Sequence, residues 1–174
     1  MADAPQVRRL QAVDLPAYKA LRDEMLALHP EAFTSDAETE RAKPPSTYLA
    51  RLGGQTDDGC FTLGAWVGDE LVGALTCERE ARRKVRHIVH VVGMMVRASA
   101  RGQGVGQALL AECIARARQA DGVELITLSV TASNTAAVGL YRRAGFERYG
   151  RLPQAVKVGD SYHDKDLMLL SLRT

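Results

Sequence analysis

The spacing of apolar residues along this chain changes period several times, and each change marks an element. Leu15, Tyr18, Leu21, Met25 and Leu28 recur at helical intervals up to His29-Pro30, which predicts a first helix after a short strand at residues 7–10. Residues 31–45 are charged, proline-containing and poor in apolar positions, so a loop is expected there, followed by a short helix at 46–52. Phe61, Leu63, Ala65 and Val67 alternate, Gly68-Asp69-Glu70 interrupts, and residues 71–77 resume the strand pattern, which makes a β-hairpin. Residues 88–96 are apolar apart from His90, the pattern of a central strand buried on both faces.

Beyond it, Leu109, Leu110, Cys113, Ile114 and Ala117 form the stripe of an amphipathic helix that begins near Gln107. A strand at 124–130, a helix opened by Asn134 and stopped by Gly145, and strands at 146–149 and 167–172 complete the pattern. Residues 151–163 have too little periodicity to assign. The expectation is an α/β protein, a mixed central β-sheet flanked by helices, forming one domain over 1–174.

Composition narrows the function classes. A net charge of +2 does not demand a nucleic-acid partner. The basic cluster of Arg79, Arg82, Arg83, Lys84 and Arg86 reads either as a solvated hairpin tip or as a docking surface for an acidic partner. Three cysteines without a Cys-x-x-Cys pair suggest neither a disulfide framework nor a zinc site, and His87-x-x-His90 lacks both helical context and a third ligand, so no metal is expected. No apolar run approaches the ~18 residues needed to cross a bilayer, and residues 1–6 do not open a signal peptide, so a soluble cytoplasmic protein with no membrane partner is expected.

The most informative segment is Arg101-Gly102-Gln103-Gly104-Val105-Gly106, set between a strand and a helix. Its glycines let successive amides converge on one ligand, and the helix adds its positive end, so the junction suits a phosphate or pyrophosphate. The dinucleotide fingerprint is excluded because Gln107 stands where its third glycine belongs, and no Gly-Lys-Ser or Gly-Lys-Thr makes a Walker loop. Further on, Ala137, Leu140, Tyr141 and Ala144 form one stripe of the helix after Asn134. Asn134 and Tyr141, nearly two turns apart, project to one side about 10 Å from each other along the axis. A capping amide with a packing phenol explains this pair as well as a ligand-binding face does.

Taken together, the strand ending Gly-Met-Met-Val, the glycine loop, and Asn134 followed by Tyr141-Arg-Arg-Ala-Gly-Phe-Glu resemble the signature blocks of the GCN5-related N-acetyltransferase (GNAT) superfamily. The resemblance is close over residues 60–150. Residues 159–168 are similar to the last strands of many bacterial members, and the first 59 residues match in outline as segments that shape the acceptor pocket.

What the resemblance implies is an acyl-CoA N-acyltransferase fold and an N-acetyltransferase using acetyl-CoA as cosubstrate. Its pyrophosphate would lie on the amides of Arg101 to Gly106, and its pantetheine arm would run between two splayed strands against Met94, Met95 and Val96. A backbone N–H near Met95 or Val96 would polarise the thioester carbonyl. Tyr141 would protonate the departing thiolate and Asn134 would hold the pantetheine arm. The acceptor would be an amine of a small molecule, an amino acid or a protein, and family habit suggests a homodimer.

A protonated amine must lose a proton before attack. His90 is one candidate base, with Glu78 and Glu80 as alternatives and a structural histidine as the plain explanation. Tyr162 and His163 fall where acceptor-orienting residues are expected, and Arg142 or Arg143 could meet the CoA 3′-phosphate or simply be solvated. Fold does not by itself establish turnover, so a CoA-binding sensor or interaction module with little catalysis is the competing reading.

Overall fold

The computed structural model describes residues 3–54 and 58–173. Seven strands form one sheet: β1 (Gln6–Arg9), β2 (Phe61–Val67), β3 (Glu70–Arg79), β4 (Ile88–Val96), β5 (Leu125–Thr131), β6 (Glu147–Val158) and β7 (Ser161–Ser171). Their spatial order is β1-β2-β3-β4-β5-β7-β6, and every neighbouring pair is antiparallel except β4 with β5. Helices α1 (Leu15–Leu28) and the short α2 (Ala37–Arg41) belong to the first third of the chain, and α3 (Val105–Gln119) and α4 (Thr135–Arg143) follow β4 and β5.

Strand alternation sends side chains to two cores, one on each face of the sheet. Phe61, Leu63, Val72, Leu75, Cys77, Val89 and Val91 pack with Leu109, Leu110 and Cys113 of α3. Leu71, Ala74 and Met95 pack on the other face with Leu15, Tyr18, Leu21 and Met25 of α1. Cys77 and Cys113 are buried free thiols, and contact with Cys113 followed by burial pushes the Cys77 thiol up.

Several boundaries differ from the sequence reading. The structure starts α3 at Val105 rather than near Gln107, because the glycine run ends at a left-handed Gly104 (φ 78°) and the ladder opens with Ala108 donating to its carbonyl. The expected loop at 31–45 contains α2, capped by Asp36, whose carboxylate accepts from the Thr39 amide at 2.9 Å. The expected helix at 46–52 is an eight-residue 3-10 segment, Pro45–Leu52. The unassigned 151–163 segment comprises the second half of β6, the turn at Gly159–Asp160 and the start of β7, and the exposed outer strand β6 lacks the apolar alternation of a half-buried strand.

Strand β4 is also not buried on both faces: Val89, Val91 and Met95 are buried, while His90, Val92, Gly93 and Met94 are half-exposed. An extra residue causes part of this. Thr76 pairs with Val92 but Ala74 with Met95, so β4 carries a bulge whose Gly93 has φ 58°. Past the bulge the alternation inverts: Met94 and Val96 turn to the α3 core and Met95 to the α1 core.

Among the basic cluster, Arg79 is a structural staple. Its guanidinium donates to the carbonyls of Arg86, Asp58 and Asp121 at 2.6–2.7 Å, whereas Arg82, Arg83, Lys84 and Arg86 lie exposed at the connection. Among the described residues no helix is long and apolar enough to cross a membrane.

Candidate active site

The parallel pair that makes the fold possible also leaves it open. β4 and β5 pair only at Ile88–Leu125, Val89–Ile126 and His90–Thr127. From there β5 stays on β7 through Thr131, and β4 stays on β3 through Val96, so the two strands diverge. The β5-facing edge of β4 beyond His90 therefore has backbone groups without a ladder partner, which a peptide-like ligand can satisfy. A cleft of about 850 Å³ occupies this split, lined by Val91 to Val96, Ser129 to Thr131 and the glycine loop.

At the mouth of the split, Gly102 and Gly104 adopt φ 75° and 78°, and a Cβ on either would meet nothing within 4 Å. The Val105, Gly106 and Gln107 amides precede the first α3 hydrogen bond, and no side chain caps the helix. Arg101, Gly102, Gly104, Val105, Gly106 and Gln107 all line the cleft. Gln103 turns away, its Nε2 donating to the Ser99 carbonyl at 3.1 Å. Gly106 is required for another reason: its Cβ would sit 3.1 Å from Leu140 and 3.4 Å from Met94, so glycine lets α3 and α4 close on β4.

Helix α4 supplies the opposite wall. Asn134 caps it by accepting from the Ala137 amide at 3.2 Å, and lines the cleft together with Ala137, Leu140, Tyr141 and Arg143. Tyr141 is 5% exposed and packs edge-on against Phe146 at 5.8 Å. Burial, with the neighbouring Cys113, pushes its phenol well above the usual value, so it stays protonated across the physiological range. Arg142 is exposed and does not line the cleft.

The first third of the chain closes the remaining side. Thr131 Oγ1 donates to the Glu31 carbonyl at 2.7 Å and Lys165 Nζ to Thr34 Oγ1 at 3.0 Å, which pins residues 31–34 to β5 and β7. Burial lowers the Lys165 ammonium below its ordinary value. His29 Nε2 lies 2.9 Å from the Arg101 guanidinium, whose N–H groups donate. Its Nδ1 faces Glu31 at 3.9 Å.

Not every expected residue meets here. His90 bonds Thr127 Oγ1 at 2.5 Å and Glu80 Oε1 at 3.0 Å, and neither it nor Glu78, Glu80, Tyr162 or His163 lines the cleft. Hydrogen bonding from His90 lowers the Glu80 carboxyl. The sequence reading missed Arg22, His29, Glu31, Arg51 and Lys165, all of which line the cleft. Their convergence leaves no local signal, because they come from four separate stretches: α1, residues 29–31, the Pro45–Leu52 segment and β7.

A split sheet offering backbone groups, an uncapped glycine cradle and cationic Arg101 and Arg143 fits a long, amide-bearing, phosphorylated thioester. That is the chemistry of an acyl-CoA, and the class defined is a fold whose parted pair of strands is shaped for such a ligand. The model of the Acetyltransferase (GNAT) family matches residues 19–146, and the chain belongs to that family. L-methionine sulfoximine/L-methionine sulfone acetyltransferase from Pseudomonas aeruginosa is 37% identical over 91 residues, 52% of this chain and 49% of that protein. Mycothiol acetyltransferase from Salinispora tropica is 32% identical over 150 residues, 85% of this chain and 49% of that one.

The chain thus spans about half the length of these curated relatives. A putative acetyltransferase from Salmonella typhimurium, solved with its cofactor acetyl-CoA, superposes with a TM-score of 0.84 and 20% identity, covering 99% of this chain and 96% of that one, a likeness of fold. A GCN5-related N-acetyltransferase from Kribbella flavida superposes with a TM-score of 0.82 at 25% identity, over 97% and 98% of the two chains.

Proposed function

We propose that the protein transfers an acetyl group from acetyl-CoA directly to an amine. The observation that carries this reading is the parting of β4 and β5 immediately beside an uncapped glycine cradle. In this reading the amides of Gly102 to Gln107 hold the pyrophosphate, aided by the helix dipole and Arg101. The free β4 edge at Met94 to Val96 pairs with the pantetheine amides, and Asn134 borders that arm.

The amine lone pair forms the new C–N bond at the thioester carbon, the C–S bond breaks, and the proton that the acylated nitrogen then sheds is taken up by the CoA thiolate. A β4 amide near the Gly93 bulge stabilises the carbonyl oxygen as charge builds on it. Tyr141 donates a hydrogen bond to the leaving sulfur. A thiol is ordinarily a stronger acid than a phenol, and burial weakens Tyr141 further, so it contributes through that hydrogen bond, with complete transfer of its proton at most a late event. Glu31 is the acidic side chain among those lining the cleft, and it receives the proton shed by the attacking ammonium, directly or through water.

The test is an acetyl-transfer assay over a broad amine panel, run beside calorimetric titration with acetyl-CoA. Binding with turnover of at least one amine is expected. Binding without acetylation of any amine would favour a CoA-binding sensor, and no binding would overturn the reading.

A further inference from the structure

We propose that Arg22 and Arg51 form a carboxylate-binding pair, so that the acceptor is an amino acid or another small amine bearing a carboxylate; this rests on the acetyl-transfer reading above. The two guanidinium groups come from α1 and from the Pro45–Leu52 segment, and both line the cleft. They converge on the bulge of β4: a Cβ on Gly93 would lie 3.1 Å from Arg51 Nη1 and 4.0 Å from Arg22 Nη1. The phosphate cradle lies beyond the other end of that strand segment, with Gly93 and Val96 about 10 Å apart by strand rise. These arginines are therefore separate from the cationic groups beside the glycine loop.

Charge balance supplies further support. Arg22 is 4% exposed; its Nε donates to Glu40 Oε2 at 3.3 Å and its Nη2 to Ser35 Oγ at 3.2 Å. Glu40, however, also takes Lys43 at 2.6 Å and the Tyr48 hydroxyl at 2.5 Å, so one carboxylate serves two cations. Arg51 has only neutral partners among the described residues: it donates to the Tyr18 hydroxyl at 3.2 Å and lies over the Tyr48 ring at 5.8 Å. Tyr48 also faces Arg22 at 5.3 Å and Tyr18 edge-on at 5.4 Å, which holds both arginines in place. Two fixed guanidinium groups with surplus positive charge, beside the strand edge assigned to the thioester, match a ligand carboxylate in shape and sign. Met25 and Phe33 nearby give an uncharged flank for the rest of the acceptor.

The experiment measures CoA release with a panel of L-α-amino acids, each beside its α-carboxamide, plus a lysine-containing peptide with a free N-terminus. The best amino acid should exceed its carboxamide in kcat/KM by about a hundredfold, the discrimination expected of a site built to pair a charged group. Arg22→Gln would remove one of the three partners of buried Glu40 and risks unfolding, so Arg51→Gln carries the test: it should collapse that ratio to within about tenfold, and Arg51→Lys should restore part of it. Equal losses on acid and carboxamide in Arg51→Gln, or a ratio near one in the native protein, would overturn the proposal. Acetylation of the peptide or carboxamides alone would leave acetyl transfer standing and remove the carboxylate pair. Failure of every amine would remove both.

Discussion

A carboxylate placed in the glycine cradle should abolish most acetyl-CoA affinity while leaving the fold intact, and Gly104 is the place to put it. Its φ of 78° makes any side chain costly by about 1–2 kcal/mol, and that cost falls on folding whether or not ligand is bound. A Cβ there meets nothing within 4 Å, so no clash is added. Gly104→Ala thus isolates the backbone strain, and should lower Tm by about 2–8 °C while shifting acetyl-CoA affinity little.

Gly104→Glu adds a negative charge where the pyrophosphate is proposed to sit. Two like charges about 4 Å apart repel by about 1 kcal/mol in water and about 4 kcal/mol at the effective dielectric of a protein surface. The expected loss in affinity is therefore between about fivefold and about eight hundredfold relative to Gly104→Ala. Raising the salt concentration should narrow the gap between the two variants. Calorimetric titration of native protein and both variants with acetyl-CoA, after matching their Tm values, reads the effect. A Gly104→Glu protein that melts like Gly104→Ala and binds acetyl-CoA within twofold of it would refute the cradle assignment.

Other perturbations probe different parts of the molecule. Tyr141→Phe should lower kcat by about ten- to a hundredfold, the worth of a hydrogen bond to a developing anion, while acetyl-CoA Kd moves little; an unchanged kcat would remove Tyr141 from the reaction. Because Tyr141 is shifted upward, no fall in native activity between about pH 7 and 9 should come from its ionisation, which kcat–pH profiles of the native enzyme and the Tyr141→Phe variant check. Burial would raise Glu40, but hydrogen bonds from Lys43, Tyr48 and Arg22 overcome it and hold the carboxyl at about 2. A depressed folded value gives stability that is full above the ordinary carboxylate pKa and lost as pH falls through the folded one. Up to about 3 kcal/mol should therefore disappear between about pH 4.5 and pH 2, and Glu40→Gln should flatten that limb of an acid-unfolding series. Gly93→Ala combines a φ of 58° with a Cβ 3.1 Å from Arg51, so kcat/KM should fall by more than about tenfold beyond any loss of folded protein; native kinetics would mean that the bulge does not shape the site.

The local pieces of this protein are legible in the order of its residues. Helical and alternating periods located α1, β2, β3, α3 and α4 within a few residues, because burial of one face imposes its period on the chain. The glycine cradle and the Asn134–Tyr141 face were legible for the same reason: each is a short-range device, complete within one turn or one helix. The outer hairpin strand β6 was not, since its largely exposed residues carry no burial pattern.

Where the elements part, and what meets there, follows from long-range packing. The bulge at Gly93 inverts the faces of β4 after Val92, which no count of apolar positions in residues 88–96 reveals. His90, the polar exception in that strand, lies on the paired side of the split with Glu80 and Thr127, away from the cleft. Arg22, Glu31, Arg51 and Lys165 reach the cleft from segments far apart in sequence. Their meeting depends on strand pairing, the buried Glu40 network and the contacts of residues 31–34 with Thr131 and Lys165, and long-range contacts of that kind have no period for a sequence to display.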